Sequence, residues 1–300
     1  MLQPVAVGVD GSAESLAAAE WAAHEAVRRD RPLRLVHVWN WHPRQTDGEI
    51  ANAAQRHLAL RALRRAEERV RAACPGVRPY DEQVEGPAAT ALLTAAERAD
   101  LLVLGSRGLS GFTGFLVGSV ALDVVARATR PVVLVRAGEE AEDAHLPAAD
   151  GSASTSSGYR DVVFGIDLGD ACDEVIRFAF EAALLRHARL RAVHAWQAPS
   201  PLGLGTGGIG LVDGPQRADE WLGFLSGVLH VWRDKYPDVE VLESVAEGKA
   251  SDVLVRAASG ASLLVVGHRL ARRPMDPRTG PVTHAVIHHA GCPVAVVPHA

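Results

Sequence analysis

Leu101-Leu102-Val103-Leu104-Gly105-Ser106-Arg107-Gly108, then nine residues, then Gly118-Ser119, is the stretch of this 300-residue chain that decides its fold. The four apolar residues have the length and continuity of a strand buried on both faces. The glycines that follow predict a loop whose backbone N–H groups are bare and can fold around an anion. Gly118-Ser119 marks the start of the next helix, with Ser119 placed to cap it. A helix N-terminus offers unpaired donors and the positive end of the helix dipole. Buried strand, glycine loop and helix, in that order, form one unit of a parallel α/β sheet and a cradle for phosphate.

The unit belongs to a repeat. Val5-Ala6-Val7-Gly8-Val9-Asp10 returns as Val162-Val163-Phe164-Gly165-Ile166-Asp167 after 157 residues, and Val36-His37-Val38-Trp39 returns as Val193-His194-Ala195-Trp196 at the same offset. Val84-Glu85-Gly86 is echoed by Ala246-Glu247-Gly248 at an offset of 162. Arg130-Pro131-Val132-Val133-Leu134-Val135 is echoed by Cys292-Pro293-Val294-Ala295-Val296-Val297, again after 162 residues. The five added residues belong between the second and third strands, where the second copy has a longer glycine-rich loop. Between the copies, residues 137–158 carry Glu139, Glu140, Glu142, Asp143 and Asp150, no Lys or Arg, and end in Gly-Ser-Ala-Ser-Thr-Ser-Ser-Gly. That is the composition of a linker. The reading is two tandem domains, 1–136 and 159–300, joined by 137–158.

Hydrophobic periods place the elements within each copy. Residues 4–9, 33–39 and 132–135 read as strands, with a polar third strand at 79–85. Ser12 is a candidate N-cap for a helix whose Leu16, Ala19, Ala23 and Val27 share one face. A long Arg/Ala-rich helix runs from Ala51 to Ala73, a short one opens at Pro87 in a tolerated first-turn position, and another opens near residue 119. Five strands alternating with helices predict an α/β fold, each copy a five-stranded parallel sheet with helices on both faces. Such sheets bind ligands beyond the carboxyl ends of their strands, where strand order reverses. Asp10, ending the first strand, and the Gly105 loop, ending the fourth, can therefore share one crevice. The last strand of each copy follows Pro131 or Pro293 and is expected as a sheet edge open to pairing.

Gly-x2-Gly-x9-Gly-Ser, present as Gly105, Gly108, Gly118 and Ser119, is also the nucleotide-binding signature of the universal stress protein family, which this chain resembles in both copies. The resemblance implies two tandem Rossmann-like domains of the adenine-nucleotide-hydrolase-like type. It implies ATP as the cofactor, with Mg2+ able to accompany it, and a nucleotide-responsive role in stress adaptation or dormancy. By the same resemblance Asp10 contacts the nucleoside, with Gly11 in the same turn. The backbone of Val38 contacts adenine, and Gly105, Gly108, Gly118 and Ser119 hold the phosphates. Arg107 lies inside the cradle, and its guanidinium suits phosphate. Trp39 can wall the base pocket or simply pack. Family members are commonly dimeric or tandem, so domain pairing within the chain, a homodimer and an unidentified protein partner are expected.

The second copy keeps the skeleton with altered chemistry. With Gly267 in the place of Gly105, Leu270 replaces Gly108 and Gly280-Pro281 replaces Gly118-Ser119. Leucine resists the positive-φ conformations open to glycine, and proline removes a donor and the hydroxyl together. Asp10-Gly11-Ser12 becomes Asp167-Leu168-Gly169, and Pro274 and Pro277 stiffen the loop. A single intact ATP site, in the first copy, is expected. Gly203-Leu204-Gly205-Thr206-Gly207-Gly208 matches G-x-G-x-x-G but opens no helix directly, and it reads as a loop. His284 and His288, one turn apart beside His289, have a spacing that can hold a metal, yet no third ligand is placed by the sequence and none is assigned.

An apolar content of 48%, 22% charged residues and a net charge of −5 describe a soluble chain without the basic face that nucleic-acid binding needs. No apolar run reaches membrane-spanning length and the first residues lack a signal-peptide layout, so the cytoplasm is the expected compartment. Cys74, Cys172 and Cys292 are odd in number and far apart, which suits a reducing compartment without disulfides. The motif has no Walker-type lysine and no nucleophile–base pair is evident. A binding protein is expected rather than an enzyme, with at most a weak ATPase activity in which Asp10 orients water. The alternatives are a slow ATP-hydrolysing or nucleotidyl-transferring enzyme on the same fold, and a nucleotide-free interaction scaffold.

Overall fold

In the computed structural model, which describes residues 2–39, 48–106, 117–138, 141–197, 214–270 and 279–300, the repeat read from the sequence is a repeat of structure. The first half runs β1 (Val5–Gly8), α1 (Ala13–Arg29), β2 (Leu33–Trp39), α2 (Gly48–Ala73), β3 (Tyr80–Glu85), α3 (Ala88–Glu97), β4 (Leu101–Gly105), α4 (Ser119–Arg127) and β5 (Val132–Val135). The second runs β6 (Val162–Gly165), α5 (Asp173–Arg186), β7 (Leu190–Trp196), α6 (Gly214–Lys235), β8 (Val241–Glu247), α7 (Ala250–Ala257), β9 (Leu263–Arg269), α8 (Pro281–His289) and β10 (Val294–His299). Gly203–Gly208, Pro274 and Pro277 lie outside the described residues.

All ten strands join one sheet in the order β3-β2-β1-β4-β5-β10-β9-β6-β7-β8. Strands within each half are parallel, with β1 held between β2 and β4. The halves meet through β5 and β10, which pair antiparallel with Val294 opposite Leu134 and Val296 opposite Val132. The edge expected at the last strand of each copy is thus where the copies fuse. The outer edges are β3 and β8, and the polar Tyr80–Glu85 run suits a strand with one unpaired flank.

Side chains alternate across the sheet. Val5, Val7, Leu35 and Val103 belong to the layer that holds α1, α2, α5 and α6, whereas Ala6, Val36, Leu102 and Leu104 belong to the layer of α3, α4, α7 and α8. Each layer is continuous from one half into the other, so the two copies share their core. The buried residues of α1 are Ser15, Ala18, Ala19, Ala22, Ala23, Glu25 and Ala26, and Val27 is 58% exposed. Of the expected face, Ala19 and Ala23 are among these and Leu16 packs half-buried against the core, and only Val27 is corrected: α1 is so rich in Ala that apolar spacing fits several faces, and packing on the sheet turns Val27 out to solvent. Pro87 stands at the N-cap of α3, one position before the expected first turn.

A buried ionic cluster closes the junction between α1 and α5. The Glu25 carboxylate is 1% exposed and accepts from Arg29 Nε at 2.6 Å and from Arg186 of the second half at 2.7 Å, with Arg28 at 3.0 Å. Arg29 also reaches Asp100 at 3.1 Å. Burial by itself would raise the Glu25 pKa, but Arg186, Arg29 and Arg28 overcome it and hold the carboxyl well below the usual carboxylate range. Arg29 and Arg186 are counterparts at the 157-residue offset, while the counterpart of Glu25 is Ala182. The cluster is therefore asymmetric and complete only when a first half meets a second half. The inter-domain segment packs back on the same region, where Tyr159 bridges to His145 and accepts from Arg28 at 2.7 Å.

Candidate functional site

The turn after β1 is a closed hydrogen-bonded unit. Asp10 Oδ1 accepts from the Ser12 N–H at 2.9 Å and from Ser12 Oγ at 2.6 Å. Ser12 Oγ, the N-cap of α1, accepts from the Ser15 N–H at 3.1 Å. Ser15 Oγ accepts from the Gly11 N–H at 3.1 Å and donates to Ser12 O at 3.0 Å. Gly11 holds φ +86°, a left-handed conformation that explains glycine there. His37 anchors the turn from β2: its Nδ1 lies 2.7 Å from Val9 O, and because a carbonyl only accepts, Nδ1 carries the proton. His194 does the same to Ile166 O at 3.0 Å in the second half. Ser15 and His37 are residues the sequence reading did not single out for the site. The return of His37 as His194 at the repeat offset was the signal.

The glycine motif has two origins that the sequence did not separate. A Cβ on Gly105 would lie 2.7 Å from the carbonyl carbon of Glu14 and 2.9 Å from Ser15 N, so glycine lets the first turn of α1 sit on the end of β4. Gly118 is the N-cap of α4, with no side-chain capping bond, which leaves Ser119 at the first helical position instead of the cap expected for it. The Gly118 N–H, expected bare, donates to Ser106 O at 2.7 Å, and Ser106 N donates to Val135 O at 2.7 Å. Both ends of the loop are thereby bolted to the sheet. The donors left by helix geometry are those of Ser119 and its successors, because first-turn N–H groups have no intrahelical acceptor. Arg107 and Gly108 lie outside the described residues.

Asp10, Val38, Gly105, Gly118 and Ser119 line one cleft at the carboxyl ends of β1 and β4, walled by Val36, Leu92 and Leu104. Strand order reverses between these two strands, as the crevice rule requires. The result is an apolar slot with a carboxylate at one side and a helix N-terminus at the other. Gly11 and Trp39 line an adjoining depression with His37, Arg61 and Arg65, which Asp10 and Val38 also border. The Arg56 guanidinium lies 5.8 Å from the Trp39 ring centroid, so the indole packs under a cation there.

The second half carries a different constellation at the equivalent place. Asp167 Oδ1 accepts from the Gly169 N–H at 2.9 Å, but α5 begins only at Asp173. Since α1 and α5 end at the counterparts Asp30 and His187, both in the left-handed region, α5 lacks the first turn of α1. Cys172 occupies the position of Ser15, and β10 runs two residues beyond β5, to His299. Asp167, Asp170, Cys172, Gly267, Thr283 and His299 line the resulting cavity. Cys172 Sγ is 3.0 Å from His299 Nδ1, a pairing of residues 127 apart that no sequence spacing shows. Pro281 takes the first position of α8, where proline is tolerated. The helix is intact there, and the N–H that proline removes is a first-turn donor without an intrahelical acceptor. Among α8 side chains, the His284 and His288 rings are tilted at 36° with centroids 4.5 Å apart, and burial, with His284 and His289 nearby, lowers the His288 pKa.

Among the described residues no helix is long and apolar enough to cross a membrane. The model of the universal stress protein family matches residues 1–136 and again 158–298. Universal stress protein Rv2005c of Mycobacterium tuberculosis is 32% identical over 300 residues, covering 97% of this chain and 96% of the relative. A universal stress protein of Mycolicibacterium smegmatis is 30% identical over 305 residues, covering 98% and 96%. A universal stress protein structure from Archaeoglobus fulgidus aligns over 100% of both chains with a TM-score of 0.70 at 18% identity, a likeness of fold. With the family's domain matched twice and kinship running the length of the chain, this protein belongs to the universal stress protein family as a tandem, two-domain member.

Proposed function

We propose that the first half binds ATP and that the protein acts as a nucleotide-responsive regulator. The observation that carries this reading is the meeting of Asp10, Val38 and the N-terminus of α4 on one cleft at the β1/β4 reversal. The residues fit the ligand by chemistry: Val36, Val38, Leu92 and Leu104 offer an apolar slot for a base, Asp10 an acceptor for ribose hydroxyls, and the α4 N-terminus donors for phosphate. Bound Mg2+ would neutralise phosphate charge, with Asp10 the carboxylate at hand. The only lysines of the chain, Lys235 and Lys249, lie in the second half, so the first half carries no lysine of the kind that phosphoryl-transfer sites place on the phosphates, and Arg107 is the cation of its motif. This favours binding over turnover. In the second half Pro281 and Leu270 take away the corresponding cradle.

Calorimetric titration of the full chain with ATP tests the reading, with one site per chain expected. Gly118→Glu keeps an N-cap backbone open to any residue (φ −73°, ψ 152°) and sets a carboxylate against the phosphates, so binding should vanish while the melting curve holds. Asp10→Ala should weaken affinity by about 1–3 kcal/mol, and Asp167→Ala should leave it unchanged. Two equivalent sites, or retained affinity in Gly118→Glu, would place the nucleotide elsewhere. Steady hydrolysis at several turnovers per second would replace the regulator with an enzyme.

A further inference from the structure

We propose that the second half holds a divalent transition-metal cation, Zn2+ by its ligand chemistry, on Asp170, Cys172 and His299. One ligand atom from each of these side chains falls within 4.8 Å of the other two, the only such group of His, Cys, Asp and Glu among the described residues. Tetrahedral zinc with bonds of about 2.0–2.3 Å brings its ligand atoms to within roughly 4 Å of each other. Small side-chain rotations close that difference. The set of one thiolate, one imidazole and one carboxylate is of the borderline-soft kind that zinc takes, and three protein ligands leave a fourth position facing the cavity.

Three independent features of the fold converge on this place. Cys172 stands at the N-cap of α5, where Ser, Thr, Asp or Asn is preferred, yet it makes no side-chain capping bond; its sulfur lies 3.2 Å from Asp170 O and 3.0 Å from His299 Nδ1 instead. The two-residue extension of β10 pairs His299 with Arg269 on β9, setting the imidazole over Gly267, where a Cβ would come within 3.1 Å of Nε2. Arg269 ion-pairs with Asp170 through Oδ2, an outer partner of the kind that orients a carboxylate ligand and leaves Oδ1 for the cation. In the first half the counterparts of Asp170, Cys172 and His299 are Ala13, Ser15 and Ala137, so none of the ligands is inherited from the repeat. The space that α1 fills with a helical turn is filled here by metal-binding side chains. On binding, Sγ gives its proton to solvent and takes the cation, tying the start of α5 to the end of β10.

The test uses the full chain, stripped by chelation and titrated with Zn2+ alone against a chromophoric competitor, and with Co2+ for its spectrum. One Zn2+ per chain is expected, with a thiolate-to-cobalt charge-transfer band in the near-ultraviolet. Cys172→Ser and His299→Gln should each weaken zinc by at least the roughly 10–100-fold that loss of an outer-sphere partner costs. Cys172→Ser should also abolish the cobalt band, while Cys74→Ser and His288→Gln change neither. Circular dichroism of each metal-free variant establishes that it folds, and His299→Gln carries the test should Cys172→Ser not. Zinc affinity that survives the Cys172 and His299 substitutions overturns the proposal. So does affinity that moves with His288, a cobalt complex without the band, or no binding at micromolar metal.

Discussion

At the scale of single residues, the glycine at 105 shows how one residue type can be required for reasons the motif does not display. Its missing Cβ makes room for backbone atoms of Glu14 and Ser15, which cannot rotate away. Gly105→Ala should therefore push the first turn of α1 off β4 and cost about 1–3 kcal/mol, as overpacked core positions do. Gly267→Ala meets the His299 ring and a Val175 methyl at 3.1–3.3 Å, groups that can move, and should cost less. Urea unfolding of the two variants checks the order. Equal midpoints would mean that the approach of α1 to β4 is not what constrains Gly105.

At the scale of elements, α1 and α5 are the same helix ended alike and begun differently. α1 starts with the Asp10–Ser12–Ser15 relay, in which the cap hydroxyl both satisfies an N–H of the first turn and holds the Asp10 carboxylate. Ser12→Ala should cost about 0.5–2 kcal/mol through the lost cap. It should also weaken ATP binding, because the Asp10 carboxylate keeps the Ser12 N–H but loses the shorter bond from the hydroxyl. Stability measured with and without ligand separates the two effects. A variant that loses stability but keeps its affinity would show that Asp10 is positioned by the strand end alone.

At the scale of the molecule, the ten-stranded sheet and its shared core make the two halves one folding unit, and Glu25 is the buried charge at their junction. Replacing it leaves Arg186 without its anion and Arg29 with Asp100 alone, so Glu25→Gln should cost about 3–5 kcal/mol at neutral pH. The pH dependence follows from the sign of its shift. A carboxyl whose folded pKa lies below its unfolded value of about 4.3 contributes fully above that value, and loses the contribution as pH falls through the folded one. The stability gap between the native chain and Glu25→Gln should therefore narrow as pH drops below about 4. A gap that stays constant from pH 7 to strong acid would show that the carboxylate is not the group being titrated.

The sequence alone determined the α/β class, the repeat and the strand that precedes each loop. Each of these is written in local periodicity or in identity at a fixed offset, and survives whatever the chain does at long range. It also named Asp10, Val38, Gly105, Gly118 and Ser119, which the fold brings to one cleft because they sit at strand and helix ends, positions that local pattern reveals. The face of α1 was legible only in part: Leu16, Ala19 and Ala23 pack on the core, but alanine is compatible with every face and only the distance to the sheet turns Val27 outward. The bond from Gly118 to Ser106, the anchoring of Val9 by His37 and the Glu25 cluster join residues from separate elements, and no local pattern encodes such distances. The meeting of Cys172 with His299 belongs to the same kind: it exists because one helix starts a turn late and one strand ends two residues late, and only the tertiary structure sets those two changes side by side.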